Sequence, residues 1–336
     1  MKKWHYPFLL LLIVGTVFIK FKNEKATQAP FQNNQGMVFG TVYHIKYQHH
    51  TDLHKEVKHA MQQVDNSLSM FNPNSCISKI NAGTINEPDS LFTEVFNLSQ
   101  SISKLTDGCF DPTVAPLVNA WGFGKNKDAQ ADSSTIDSIM KFVGWEKIKI
   151  NNNKVIKEDP RITLDFSAVA KGYGADQVAK ILKENGVENY MIEIGGEIVC
   201  KGSNPKGTAW KIGINKPIED SIQTQAVQSI LALQNCAMAT SGNYRNYYVK
   251  DGKKIAHTIN PKNGYPIQQS VLSSTIFAPS CAMADAIATA VMVMGLEKAK
   301  EMLTNEPDVE AYLIYAGEDG THNVWYTEKI GNFIEK

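Results

Sequence analysis

Asp285 and Thr289 lie in P-S-C-A-M-A-D-A-I-A-T-A-V-M-V-M-G, Pro279 to Gly295. The run is apolar enough to predict a buried helix, and a spacing of four puts both side chains on one face of it. A buried carboxylate without a partner is costly, and a cation would remove that cost. Carboxylate and hydroxyl oxygens suit a hard ion, Mg²⁺ or Ca²⁺, with Mg²⁺ favoured where phosphates share the coordination. The alternative is an aspartate that only caps or hydrogen-bonds locally. His257 stands in I-A-H-T-I-N-P-K-N-G-Y-P-I and leads into a turn set by Asn260-Pro261 and Asn263-Gly264. It reads either as a structural histidine or as a general base.

Two further stretches could line a ligand. G-C-F-D-P-T-V-A-P-L-V-N-A-W-G-F-G, Gly108 to Gly124, is a poor helix start but a suitable loop. In it Phe110 and Trp121 could stack on a ring system and Asp111 could accept hydrogen bonds from one, although any single aromatic fits a core equally well. L-D-F-S-A-V-A-K-G-Y-G-A-D-Q-V-A-K-I-L, Leu164 to Leu182, predicts an apolar strand end, a turn of small residues and a helix stopped at Asn185-Gly186. Small residues at Ser167, Ala168, Ala170, Gly172 and Gly174 would let backbone approach a ligand closely. This is no phosphate loop, since Lys171 precedes its glycines, and G-Y-G-A-D-Q lacks the third glycine of a dinucleotide fingerprint.

The elements that must position these residues alternate along the chain. G-T-V-Y-H-I-K-Y reads as a half-buried strand. Leu53, Val57, Ala60, Met61, Val64 and Leu68 recur at helical spacing, and a second helix covers Leu91 to Leu105. Y-M-I-E-I-G-G-E-I-V-C-K-G is strand-like around Gly195-Gly196, W-K-I-G-I-N-K-P is a strand, and Ala237 to Val249 is a strand broken at Ser241-Gly242. His44, His49, His50, His54 and His59 straddle strand and helix without metal-ligand geometry.

The 336 residues are 43% hydrophobic and 20% charged, with zero formal net charge. That describes a globular chain and offers no electrostatic case for nucleic acid. Five scattered cysteines without C-x-x-C spacing argue against a zinc site or disulfide framework, and Cys200 and Cys236 read as small core residues. Lys2 and Lys3 precede an apolar run from Phe8 to Ile19 that reads as an uncleaved single-pass anchor, with a cleaved signal as the alternative. No cysteine follows that run, so a lipoprotein anchor is not expected. The expected organisation is an anchor over 1–23, a polar tether over 24–36 and a folded domain over 37–336.

Six blocks follow one another in order: F-D-P-T-V-A-P-L-V-N-A-W-G-F-G, L-D-F-S-A-V-A-K-G-Y-G-A-D, I-G-G-E-I, T-S-G-N-Y-R-N-Y-Y, H-T-I-N-P-K-N-G-Y-P and A-D-A-I-A-T-A. Together they resemble the ApbE family, the FAD:protein FMN transferases, from about Met37 to the C-terminal end. The resemblance implies a mixed α/β (α+β) fold of the T-fold-like kind, with mixed sheets packed against helices, holding FAD with Mg²⁺ at its pyrophosphate.

Carried over by motif, Phe39 and Phe71 match flavin- or adenine-contacting positions, Phe39 standing where family members often carry methionine. Cys109, Phe110 and Asp111 would line the FAD site, and Asp165, Lys171 and Ile259 match further contacts. The metal position maps onto the Ala168 carbonyl with Asp285, Thr289 and Ala288. The implied reaction is Mg²⁺-dependent transfer of FMN from FAD to a threonine or serine hydroxyl of an acceptor, releasing AMP, with His257 as candidate base. The acceptor implied is a flavin-carrying subunit of a membrane redox complex such as a sodium-pumping quinone reductase. The expected location is the bacterial inner membrane, with the catalytic domain on the extracytoplasmic (periplasmic) side. Two other readings use the same residues differently: a metal-dependent FAD pyrophosphatase yielding FMN and AMP, and a non-catalytic FAD-binding protein.

Overall fold

A computed structural model describes residues 29–124, 131–217, 226–243, 247–250, 253–268 and 270–335. The expected N-terminal anchor lies outside the described residues. Among those described, no helix is long and apolar enough to cross a membrane.

The chain opens with a hairpin, β1 (Phe31–Val38) and β2 (Thr41–Gln48), turned by Phe39 and Gly40 at φ 51° and 73°. Pairing along all of β1 places residues 31–36 in the sheet, so the tether expected over 24–36 gives way to strand at Phe31. Helices α1 (His54–Leu68), α2 (Cys76–Asn81) and α3 (Ser90–Leu105) follow, the last started by Asp89, whose carboxylate accepts from the Phe92 amide. After them come α4 (Ala115–Ala120), α5 (Ser133–Met140), a hairpin of β3 (Ile148–Asn151) and β4 (Lys154–Lys157), and α6 (Ala170–Glu184).

A hairpin of β5 (Tyr190–Ile194) and β6 (Glu197–Lys201) turns on Gly195-Gly196, both at positive φ. A second hairpin, β7 (Trp210–Asn215) and β8 (Val227–Leu233), precedes β9 (Cys236–Gly242), which ends at Ser241-Gly242 as expected, the next strand belonging to another sheet. Strands β10 (Tyr247–Lys250), β11 (Lys253–Ala256) and β12 (Val271–Ala278) lead to α7 (Cys281–Met294) and α8 (Leu296–Asn305). The chain closes with β13 (Glu310–Ala316), β14 (His322–Tyr326) and α9 (Glu328–Gly331).

Eight strands form one sheet in the order β1-β2-β5-β6-β9-β12-β13-β14, and every pairing in it is antiparallel. The expected mixed sheets are therefore not found among the described strands. The reason is in the connections: hairpins and a two-helix excursion, α7–α8, return the chain in the opposite direction.

Alternation sorts the side chains of this sheet between two cores. Ile276, Leu313 and Ala239 point to the helices, whereas Phe277, Tyr312, Ile314 and Met238 join Trp210 and Leu231 of the β7–β8 hairpin on the other face. Helix α7 is apolar all round because it packs on β9 and β12 and against α3, α6 and α8.

Candidate active site

Helices α6 and α7 meet where side chains leave no room. A Cβ on Gly172 would lie 2.3 Å from the Cys281 carbonyl oxygen, and one on Gly174 would lie 2.5 Å from the Phe39 ring. The smallness of these two glycines thus serves helix packing and the Phe39 ring, not the ligand approach expected from the sequence. Asp176, also on α6, accepts from the Cys281 and Ala282 amides at 2.9 Å each and so caps the N-terminus of α7. Burial pushes its carboxyl up to about 6 despite these bonds, and the charge of Asp285 adds to the shift.

This contact brings the first turn of α6 beside the second turn of α7. Asp285 is buried, its Oδ2 accepts from the Gly172 amide at 3.1 Å, and Lys171 Nζ stands 3.7 Å from its Oδ1. The same ammonium lies 2.5 Å from Oε1 of Glu197, the first residue of β6. Asp285 is therefore not the solitary buried carboxylate inferred from the helix alone, because Lys171 supplies a charge across the α6–α7 contact. Burial opposes the lysine's charge, but Asp285 and Glu197 more than offset it and raise its pKa. Glu197 is pushed up to about 7, first by burial and then by the charge of Asp285.

The segment before α6 is not the expected strand end. Leu164 lies outside any strand, with its N–H and C=O bonded at 2.8 Å each to the side-chain amide of Asn81, which takes the place of a neighbouring strand. Asp165 donates its amide to the Pro112 carbonyl at 2.7 Å, and its carboxylate accepts from the amide and hydroxyl of Ser167. That carbonyl belongs to the Gly108–Gly124 loop, so the two sequence stretches are fastened side by side.

Between them opens a cavity of about 440 Å³, within the roughly 300–1,000 Å³ of small-molecule sites. Phe71, Cys109, Phe110, Asp111, Asp165, Ala168, Lys171, His257, Ile259, Asp285 and Thr289 all border it. Phe71, 81% exposed, stands at its mouth. Burial raises the Cys109 thiol pKa. The His257 ring meets Phe123 edge-on, with 6.3 Å between centroids.

Three of the expected residues stand off the cavity wall. Phe39 does not border the cavity; it turns the β1–β2 hairpin and packs against the core at Gly174. Ala288 is wholly buried in α7 and also lies off the cavity, since it sits one residue round the helix from Thr289. Trp121 is absent from the wall as well: its indole N–H donates to the Gly264 carbonyl at 2.7 Å, and Phe123 takes its place. Asp111 borders the cavity with both oxygens engaged, Oδ1 by the amide and hydroxyl of Thr113 and Oδ2 by the Trp145 amide. Its pKa is raised by burial.

Asp285, Thr289 and Ala168 border one cavity, and a carboxylate, a hydroxyl and the Ala168 carbonyl together would make a hard-oxygen set that fits Mg²⁺. Among the described residues no cluster of three His, Cys, Asp or Glu could hold a metal ion. An ion at Asp285 would therefore draw its remaining ligands from a phosphate or water. Sequence reasoning missed Ser241, whose hydroxyl lies 3.1 Å from that of Thr289, and Glu197. Glu197 did leave a signal, a charged residue between apolar positions in I-G-G-E-I.

Comparison with known proteins agrees with this geometry. Residues 39–313 match the ApbE family. The chain is 36% identical to the FAD:protein FMN transferase of Haemophilus influenzae, covering 85% of this chain and 86% of that protein. It is 38% identical to the Vibrio cholerae protein of the same name, over 78% and 81% respectively. The fold superposes on the flavin transferase ApbE from Vibrio cholerae with a TM-score of 0.81 at 33% identity, covering 91% of this chain and 99% of that one. The apo flavinyl transferase ApbE of Pseudomonas stutzeri gives a TM-score of 0.81 at 30% identity, covering 91% and 97%. With residues from five of the six motif blocks bordering one cavity and a match over most of its length, this chain is a member of the ApbE family.

Proposed function

We propose that this protein transfers FMN from FAD to a threonine or serine hydroxyl of an acceptor protein and releases AMP. The observation that carries the reading is the meeting of Asp285, Thr289, Ala168 and the Lys171 ammonium in one cavity that also holds His257 and Phe110. Asp285, Thr289 and the Ala168 carbonyl would hold Mg²⁺, which would supply charge neutralisation at the pyrophosphate. Lys171 adds a fixed positive charge beside the same oxygens, where a low-dielectric wall strengthens it. His257 takes the acceptor's hydroxyl proton as that oxygen bonds to the FMN-side phosphorus and the bond to AMP breaks. Aromatic faces at Phe110 and Phe71 suit the ring systems of FAD.

The acceptor of this reading is a flavin-carrying subunit of a membrane redox complex, met on the extracytoplasmic side by a domain anchored through Phe8 to Ile19. Support for that location comes from the apolar run and the lysines before it. Incubation with FAD, Mg²⁺ and a candidate acceptor should add the mass of one FMN to the acceptor, and Asp285→Ala should abolish the gain. Release of free FMN and AMP with an unmodified acceptor would make the protein a pyrophosphatase. Unconsumed FAD would leave only a binding role.

A further inference from the structure

Glu197 is buried at 2% exposure and does not border the cavity, yet its Oε1 is 2.5 Å from the Lys171 ammonium. Its Oε2 is buried without a hydrogen-bond partner among the described residues. Such a carboxylate is expensive to keep, and apolar residues surround it in the strand, Ile194 before the turn and Ile198 after it. The turn aims it: Gly195 and Gly196, both at positive φ, reverse the chain so that β6 begins at Glu197.

The alternative to this arrangement is a closed ion pair on the cavity wall. Lys171 leaves α6 beside Asp285 of α7, and a free lysine there would approach the carboxylate to about 2.8 Å. It stands instead at 3.7 Å, beyond hydrogen-bond distance, while Glu197 holds it at 2.5 Å. An ammonium closed onto Asp285 would both screen its charge and occupy Oδ1, the oxygen that the Gly172 amide leaves open.

We infer that Glu197 is a positioning residue: it draws the Lys171 ammonium off Asp285, so that the Asp285 carboxylate stays available to a divalent cation while the ammonium still faces the cavity. This rests on the reading of Asp285 as a cation ligand. Outer residues that orient a ligand in this way change metal affinity without touching the metal.

The test is Mn²⁺ binding, followed by the electron paramagnetic resonance signal of the free ion. It uses detergent-solubilised full-length protein at FAD concentrations that saturate each variant, with FAD-only blanks subtracted. Wild type should bind Mn²⁺ and Asp285→Ala should not; failure at this step overturns the cation site itself. With that step passed, Glu197→Gln should weaken Mn²⁺ by about 10- to 100-fold. Adding Lys171→Met to Glu197→Gln should restore most of the loss, because the competing ammonium is gone.

Unchanged Mn²⁺ affinity in Glu197→Gln would overturn the inference. So would a double variant as weak as Glu197→Gln alone, which would make Glu197 merely structural. Should Glu197→Gln fail to fold, Lys171→Met alone decides: Mn²⁺ bound at least as tightly as by wild type supports the inference, and weaker binding refutes it.

Discussion

Replacing Gly172 by alanine sets two effects of opposite sign against each other. Alanine in a helix interior is ordinarily worth about 1 kcal/mol over glycine, so propensity alone predicts a more stable protein. Here the new methyl would lie 2.3 Å from the Cys281 carbonyl oxygen, 2.6 Å from its carbon and 2.9 Å from the Ala282 nitrogen. These are backbone atoms of α7, so no rotamer change relieves the clash. Reaching a normal separation of about 3.5 Å requires the helices to part by roughly 1 Å.

Overpacking of this kind costs typically about 1–3 kcal/mol, and a backbone obstacle belongs at the upper end. Less the propensity gain, the net loss is about 2 kcal/mol, a fall in Tm of about 4–8 °C if the slope of a domain of 150–250 residues applies. The same parting stretches the Gly172 amide to Asp285 bond and carries Lys171 away from Asp285, so transfer activity should fall further than stability. Denaturant unfolding and FMN transfer on the same preparation measure both. Gly174→Ala is the comparison, since its obstacle is the movable Phe39 ring at 2.5 Å. A Gly172→Ala protein as stable as wild type, with full activity, would refute the argument that α6 and α7 touch through this glycine.

His257→Ala should leave FAD affinity nearly intact and lower single-turnover transfer by about 10²- to 10⁴-fold; wild-type transfer at unchanged affinity would remove the base role. Asp176 and Glu197 have pKa values raised from 3.8 to about 6 and from 4.5 to about 7. Raised carboxyls keep their proton better in the folded state, so their contribution is complete below about pH 4 and is lost as pH rises through 6 to 7. Metal-free protein in chelator should show this decline in denaturant unfolding, and Asp176→Asn should flatten it; equal slopes for both proteins would contradict the Asp176 shift. A C-terminal reporter that works only outside the cytoplasm should be active in cells, and activity of a cytoplasm-only reporter would reverse the proposed orientation.

Much of this protein was legible in one dimension because the signals are local. Helices α1, α3 and α7 follow from apolar spacing, and the stop at Asn185-Gly186 from backbone preference, since each depends on neighbours a few residues away. The pairing of Asp285 with Thr289 was equally visible, because four residues of helix define a common face whatever surrounds it.

What the folded chain decided are contacts between segments far apart in sequence. Nothing local shows that Asn81 would stand in for a strand beside Leu164, that Trp121 would turn to Gly264 and leave the cavity to Phe123, or that Ala288 would face the core next to a cavity-facing Thr289. Glycines that look built for a ligand serve a helix crossing instead, because the same smallness answers either need. The carboxylate of Glu197 reaches Lys171 across 26 residues, and Asp285 across 114. Charge is read from the sequence one residue at a time, but its energy depends on burial and on which opposite charge arrives within a few ångströms, and only the packed helices and sheet set those distances.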